Sequence, residues 1–119
     1  MENPLKNIFK REAKVGPAMH SEAFSEYIGQ PRRNVRKAIK ESGRKAGGRK
    51  ELNWLKNPQN WNKPEAGQFK DGNWHFFFGA ASGGIVPIAS WRESYGRFIF
   101  SGSWLAHDWY DINRAVLRD

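Results

Sequence analysis

The sequence contains no cysteine and no long hydrophobic run, and both absences narrow what the protein can be. Without a cysteine among its 119 residues, disulfide bonds, thiolate zinc sites and a cysteine nucleophile are excluded. No apolar stretch approaches the ~20 residues that a membrane-spanning helix needs. Residues 1–14 (MENPLKNIFKREAK) lack the apolar centre of a signal peptide, so we expect no Sec-type export.

The length and composition of the chain predict one folded domain over residues 1–119. Hydrophobic residues make up 39% and aromatic residues 14% of the chain, and this apolar surface is enough to offset the entropy lost on folding. A division into two domains would leave each with too small a core.

Acidic residues are scarce in the first half of the chain. Residues 1–50 contain 13 Lys and Arg against 5 Glu, a net charge of +8, whereas residues 51–119 contain 7 of each sign. This asymmetry predicts a polyanionic partner for the basic half: nucleic acid, an anionic membrane surface or a pyrophosphate-bearing substrate. A solvated basic helix beside a flexible linker is the alternative interpretation.

Helix signals dominate the basic half. Ser21 is a candidate N-cap for a short helix within residues 20–29, which ends at Gly29. A second helix begins at Pro31, places Val35 and Ile39 four residues apart on one face, and stops at Gly43. Residues 43–50 (GRKAGGRK) combine glycines with cations, which predicts a mobile loop.

The second half has the texture of a β-sheet. Tryptophans and prolines in residues 51–68 predict irregular structure, and strands are expected within residues 73–79, 83–90 and 97–106, which are rich in aromatic and branched side chains. Pro87 favours an edge position or a bulge for the middle strand. The predicted fold class is α+β, with N-terminal helices followed by a small, mostly antiparallel, barrel-like β-sheet.

Candidate chemistry is concentrated where the last of these strands ends. Paired carboxylates can hold Mg²⁺ and activate water, and arginines clamp phosphate, which are the parts that a phosphodiester or pyrophosphate hydrolase requires. The alternative is an ordinary turn whose acidic residues cap the next helix. The residues concerned are Asp108, Tyr110, Asp111, Asn113, Arg114 and Arg118.

The same residues resemble the colicin M signature D-x-Y-D-x5-H-R. Asp108-x-Tyr110-Asp111 is followed by the five residues 112–116, and the final arginine falls on Arg118. The resemblance implies an antibacterial toxin domain, either from a bacteriocin or as a secreted effector attached to a delivery domain. Such a domain would hydrolyse lipid II between lipid and pyrophosphate, using Mg²⁺ or another divalent cation, and so block peptidoglycan synthesis. It would be made in the cytoplasm, act in the periplasm of a target bacterium and be neutralised by a cognate immunity protein.

The resemblance also implies roles for individual residues. Asp108 and Asp111 would position the metal or activate water, and Tyr110 would orient the phosphate or a carboxylate. Arg118 would complete the catalytic set and bind the pyrophosphate together with Arg114, and Asn113 would also bind the substrate.

One position departs from the signature, because Leu117 stands where the family has a histidine. Leucine cannot carry protons or bind metal. Either the domain is inactive, or His75 or His107 takes over as acid/base. The sequence therefore predicts that Leu117→His raises lipid II hydrolysis and that Asp111→Ala in that background abolishes it. The alternative is that Leu117 is a core residue of a working site that uses His75 or His107, in which case the new imidazole lowers stability and activity.

A nucleic-acid-directed function explains the net positive charge of residues 1–50 better than lipid II hydrolysis does. A ribonuclease toxin or a nucleic-acid-binding module would use residues 32–50 for phosphate contacts and aromatic side chains for stacking on bases. It explains the two aspartates less well, because carboxylates repel a polyanion unless a metal joins them.

Overall fold

The computed structural model describes residues 16–119. Within residues 16–119 the chain forms five strands and three α-helices, and four short 3-10 turns connect some of them. In chain order the elements are β1 (Met19–Glu22), α1 (Arg32–Glu41), α2 (Arg49–Lys56), α3 (Pro64–Gly67), β2 (Trp74–Phe76), β3 (Ile85–Arg92), β4 (Arg97–Trp104) and β5 (Asn113–Arg118). Within residues 16–119, no helix is both long and apolar enough to cross a membrane.

The strands form one sheet in the order β1-β5-β2-β3-β4. Only the pairing of β2 with β5 is parallel, and the other three pairings are antiparallel. The predicted α+β class is therefore confirmed. Among the strands of residues 16–119 the sheet is open, with β1 and β4 as its edges, so these strands do not close into a barrel.

Helices cover both faces of the sheet, because its strands alternate apolar side chains between two cores. On one face α1 packs its buried Val35 and Ile39 against Ala115 and Leu117 of β5. On the other face α2 and α3 pack against Val116 and neighbouring side chains. Successive residues of a strand point to opposite faces, which explains how β5 serves both cores.

The sequence predicted α1 correctly. Val35 and Ile39 are its buried stripe, and Gly43 follows its end with a positive φ of 77°. The rest of its surface carries exposed cations, as expected for a helix that buries one narrow face.

The predicted helix within residues 20–29 is wrong. Met19–Glu22 form an edge strand whose four residues pair with residues 115–118 of β5, and only Ser25–Tyr27 form a single 3-10 turn. Pairing with a distant strand outweighs the local capping signal of Ser21, because it satisfies backbone groups and buries Met19 at the same time. Gly29 does adopt a positive φ, but its N–H bonds to the carbonyl of Trp109 rather than closing a helix.

The glycine-rich segment 43–50 passes close to the rest of the backbone. Gly47 donates to Val116 and accepts from Gly79, and a Cβ on Gly79 would lie 2.9 Å from the carbonyl oxygens of Ala46 and Gly47. Glycines are needed here because the chains approach closely. The segment is not a loop throughout, since α2 begins at Arg49. The irregular structure predicted for residues 51–68 is replaced by α2 up to Lys56 and by α3 over Pro64–Gly67, and only the part between the two helices is irregular or a 3-10 turn. The mobility of segment 43–50 stays a prediction.

The three predicted strands of the second half are confirmed as β2, β3 and β4. The edge position or bulge predicted for β3 is wrong, because β3 is an inner strand and its register with β4 runs without a break from Ile85 to Arg92. β3 pairs with β2 on one side and with β4 on the other. Pro87 is tolerated because its carbonyl accepts from Phe77, on the side where β2 has already ended at Phe76. In an antiparallel strand the N–H and the carbonyl of a residue point to the same side. The N–H that proline lacks would therefore have pointed past the end of β2, so no carbonyl of β2 loses a hydrogen bond.

Candidate functional site

The Asp108-x-Tyr110-Asp111 segment is a surface turn pinned by its middle residue. Trp109 is fully buried and donates its indole N–H to the carbonyl of Ala23 at 2.9 Å. The side chains on either side of it point outward, and Tyr110 is 52% exposed. The turn therefore presents Asp108, Tyr110 and Asp111 to solvent.

The two predicted substrate binders next to this turn are occupied with its backbone. Asn113 is fully buried and its Oδ1 accepts from the N–H of Tyr110 at 2.8 Å. Arg114 donates to the carbonyl oxygens of Asp111 at 2.6 Å and of Asn113 at 2.8 Å. Their contacts stabilise the turn, and the Asn113 amide nitrogen has no partner among residues 16–119.

Leu117 and Arg118 lie at the other end of β5. Five residue steps separate Asn113 from Arg118, so about 16 Å of extended strand lies between their Cα atoms. Leu117 is fully buried in the α1 core. Arg118 bonds through Nε to Glu51 Oε1 at 2.8 Å, and Glu51 also accepts from the N–H of Gly48. Burial raises the pKa of Glu51, but these hydrogen bonds outweigh it and hold the pKa below its ordinary value. The residues that match the signature thus divide into two groups, one in the turn before β5 and one at the far end of β5.

Asp108 and Asp111 are the carboxylates available for the expected Mg²⁺. Among residues 16–119, no group of three or more His, Asp or Glu side chains could hold a metal ion. Mg²⁺ binds through one or two carboxylates when substrate phosphates and water complete its octahedron, so these two exposed side chains are the ones that would hold the ion. When bound there, the ion would supply charge neutralisation and an activated water.

A buried arginine, which the sequence did not single out, lies beneath this turn. Arg32 opens α1, donates to Ser103 Oγ at 2.6 Å and lies 4.8 Å from the centre of the Phe76 ring. Burial lowers its pKa, while the neighbouring Tyr110 and Asp108 act in the opposite direction. Its guanidinium connects the turn to the start of the basic helix.

The two histidines proposed as replacement acid/bases have different surroundings. His75 is fully buried in a hydrogen-bonded chain, with Ser21 Oγ 2.7 Å from Nδ1 and Asp71 Oδ1 2.8 Å from Nε2. Burial lowers the pKa of His75, and the bond to Asp71 only partly offsets this. His107 is exposed, and its carbonyl accepts the N–H of Arg32 at the start of α1.

A second cluster of ionisable groups lies at the edge strand. His20 and Glu22 alternate with Ser21 on β1 and therefore share a face, with His20 Nε2 2.5 Å from Glu22 Oε2. The other ring nitrogen, Nδ1, bonds to Asp119, and Arg44 binds both oxygens of Glu22. The H-x-E spacing was visible in the sequence, but the expected helix would have placed the two side chains on different faces.

The cations of α1 border three adjoining hollows. The first, of about 530 Å³, is lined by Arg33, Arg36, Lys37 and Lys40. The second, of about 450 Å³, continues past the end of α1 and includes Arg44, Lys45 and Arg118. The third, of about 290 Å³, lies at the start of the helix between Arg33, Arg36 and the exposed ring of Trp104. Shared Arg33, Arg36 and Lys40 make these hollows one continuous surface, which we call the basic surface.

More than half of the cations on the basic surface have no carboxylate partner among residues 16–119. Three of its cations contact carboxylates: Lys37 with Glu41, Arg44 with Glu22, and Arg118 with Glu51. Among residues 16–119, no carboxylate pairs with Arg33, Arg36, Lys40 or Lys45. The charge of residues 32–50 pointed to these cations, but Arg32 of that range is buried and does not line the surface. Nothing in the sequence indicated that Trp104 and Arg118 border the surface from the sheet.

Comparisons with protein-family models, with curated proteins and with solved structures found no match to this chain.

Proposed function

We propose that the protein binds single-stranded nucleic acid on the basic surface. The observation that carries this proposal is the set of four exposed cations, Arg33, Arg36, Lys40 and Lys45, that have no carboxylate partner among residues 16–119. Cations held close together without counter-charges repel one another, and a phosphate backbone relieves that repulsion while releasing its own counterions.

The aromatic neighbour of the basic surface supports a single strand as the ligand. Trp104 is 51% exposed and lines a hollow together with Arg33 and Arg36. An exposed aromatic ring beside arginines can stack on an unpaired base while the arginines hold the adjacent phosphates. In a duplex the bases are already stacked on each other, so such a ring would have no partner.

Neutralising three cations of the basic surface is expected to weaken binding by roughly 100-fold. In the triple variant Arg33→Gln, Arg36→Gln and Lys40→Gln, glutamine preserves helix propensity while the charge is lost. For single strands, a plot of log affinity against log salt concentration falls with a slope of about 0.7 per phosphate contacted. Three lost contacts therefore reduce the slope by about 2, which at about 0.1 M salt corresponds to an affinity roughly 100-fold lower. Fluorescence anisotropy of a labelled single-stranded RNA, titrated over a range of salt, measures both quantities.

The matched control is Lys56→Gln, Arg92→Gln and Arg97→Gln. These three residues are exposed, lie outside the basic surface and give the same change in net charge. We expect a much smaller loss of affinity in this variant. If both triple variants lost affinity equally, binding would depend on net charge alone and the proposed surface would be wrong.

A second candidate function is the hydrolysis of lipid II at the Asp108–Asp111 turn. The observation that favours it is the joint exposure of Asp108, Tyr110 and Asp111, with the ring centre of Tyr110 5.8 Å from the guanidinium of Arg32. The separation of Arg118 from this turn along β5 disfavours a compact site of the signature type.

On this second proposal, purified lipid II incubated with the protein and Mg²⁺ releases undecaprenol and the soluble pyrophosphorylated fragment. Asp111→Ala is expected to remove this activity, whereas Glu93→Ala, which changes an exposed acidic residue of the β3–β4 connection, leaves it unchanged. Thin-layer chromatography of the lipid product gives the readout. Inactivity on lipid II together with RNA binding would assign the protein to the nucleic-acid function alone.

A further inference from the structure

The edge-strand cluster lies where the basic surface meets β1. Arg44 belongs to both, because it lines the hollow of about 450 Å³ and also binds both carboxylate oxygens of Glu22. A phosphate held by Arg44 and Lys45 would therefore lie beside His20 and Glu22. All the side chains of the cluster are partly exposed, so a ligand can reach them.

The proton states of the cluster differ from those of isolated side chains. The hydrogen bond with Glu22 raises the pKa of His20, burial lowers it, and the contact with Asp119 raises it further. Because the raising effects prevail, a larger fraction of His20 is protonated at neutral pH than for a free histidine. Arg44, followed by His20, lowers the pKa of Glu22 to about 2. The cluster thus places a proton donor and an ionised carboxylate next to each other.

We propose, as a step that rests on the nucleic-acid-binding function above, that His20, Glu22 and Arg44 form a ribonuclease site. RNA is the substrate class because its own 2′-hydroxyl supplies the nucleophile, so that the protein needs only a base, an acid and a cation. Histidine and glutamate are common general acids and bases, and arginine binds two phosphate oxygens through its planar fork.

The reaction is an internal transesterification. Glu22 accepts the proton of the 2′-hydroxyl while O2′ attacks the phosphorus, the bond from phosphorus to O5′ breaks, and His20 gives its proton to O5′. The products are a 2′,3′-cyclic phosphate and a 5′-hydroxyl end. Arg44 stabilises the charge that develops on the non-bridging oxygens.

Substrate binding itself would prepare the base. While Arg44 binds Glu22, the carboxylate is too weakly basic to take a proton readily. When Arg44 turns to the phosphate, the pKa of Glu22 rises toward its ordinary value. In-line displacement needs the base and the acid on opposite sides of phosphorus, so the phosphate must enter between Glu22 and His20 and replace their direct hydrogen bond.

Cleavage of a labelled single-stranded RNA by the purified protein in the presence of EDTA tests the proposal. We expect 2′,3′-cyclic phosphate and 5′-hydroxyl ends, and no cleavage of an oligonucleotide of the same sequence that carries 2′-O-methyl groups throughout. His20→Ala, His20→Asn and Glu22→Gln should each lower the cleavage rate by ~10²–10⁴-fold. Their affinity for the 2′-O-methyl oligonucleotide should stay within about threefold of that of the parent protein, because the unpaired cations that carry the phosphate contacts are retained.

The matched control is Glu93→Gln, the same chemical change at an exposed carboxylate far along the chain, which should cleave at the parental rate. Thermal melting of every variant shows whether it is folded. Two His20 variants with side chains of different size are used, so that a packing defect specific to one of them is not mistaken for loss of the imidazole. Binding of RNA without cleavage would overturn the ribonuclease inference and leave the binding function standing. Absence of binding would overturn both, and cleavage unaffected by the His20 and Glu22 variants would place the site elsewhere.

Discussion

Leu117→His is expected to lower the free energy of unfolding by about 2–5 kcal/mol and to give no gain in lipid II hydrolysis. Leu117 is fully buried on β5, within the core that α1 covers, and it forms a β-bridge with Ala46. Truncating a buried leucine costs ~2–5 kcal/mol, and an imidazole without a hydrogen-bond partner adds a desolvation penalty of roughly 1–3 kcal/mol, while its ring recovers part of the lost packing.

Urea unfolding followed by tryptophan fluorescence measures this loss, and Leu117→Met is the control. Methionine has a volume close to that of leucine, so we expect it to cost less than about 1.5 kcal/mol. The loss in Leu117→His should grow below about pH 6.5, because the unfolded state takes up a proton that the buried imidazole resists. A Leu117→His protein of parental stability with raised lipid II hydrolysis would instead support the colicin M resemblance.

Trp109→Ala is expected to lower the free energy of unfolding by about 3–5 kcal/mol, the range for aromatic truncation in a core. Trp109 is fully buried, its ring centre lies 5.1 Å from that of Phe76 and 5.9 Å from that of Phe78, and its indole N–H is hydrogen-bonded. Its backbone also pairs with Gly29 and Gln30, immediately before α1.

Because of that pairing, Trp109→Ala should also weaken RNA binding by loosening the start of the basic helix. Trp109→Phe keeps most of the ring and loses only the indole hydrogen bond, so we expect a loss of about 1–3 kcal/mol and near-parental affinity. The same urea titrations and anisotropy measurements serve both variants. A Trp109→Ala protein within about 1 kcal/mol of the parent would show that the turn is not anchored through this side chain.

The parts of the fold that the sequence predicts are those with local signals. The spacing of Val35 and Ile39 determines α1, and runs of aromatic and branched residues mark β2, β3 and β4. β1 could not be predicted in this way, because its partners lie nearly a hundred residues away on β5 while its own residues carry a helix-capping signal. Pairing across such a distance leaves no periodicity in the short strand itself.

The candidate sites show the same division. The charge of residues 32–50 predicts the basic surface because exposed cations on a helix need no distant partner. The His20–Glu22–Arg44 cluster depends on β1 being a strand and on Arg44 folding back from α1, and both are tertiary facts. The matched residues have the sequence spacing of the colicin M signature, but sequence spacing does not fix distances in space. Because the chain from Asn113 to Arg118 is an extended strand, Arg118 lies far from the Asp108–Asp111 turn along that strand.

The place of β5 in the sheet sets the time at which the proposed ribonuclease site forms during biosynthesis. β1 carries His20 and Glu22, and among the named strands of residues 16–119 its partner is β5, which is also the last of them to be made. About 90 residues separate the two strands, which is roughly 5–20 s of translation. During that interval β1 lacks the only strand partner that it has within residues 16–119, so on the proposal above we expect the ribonuclease site to be assembled only after β5 has been made.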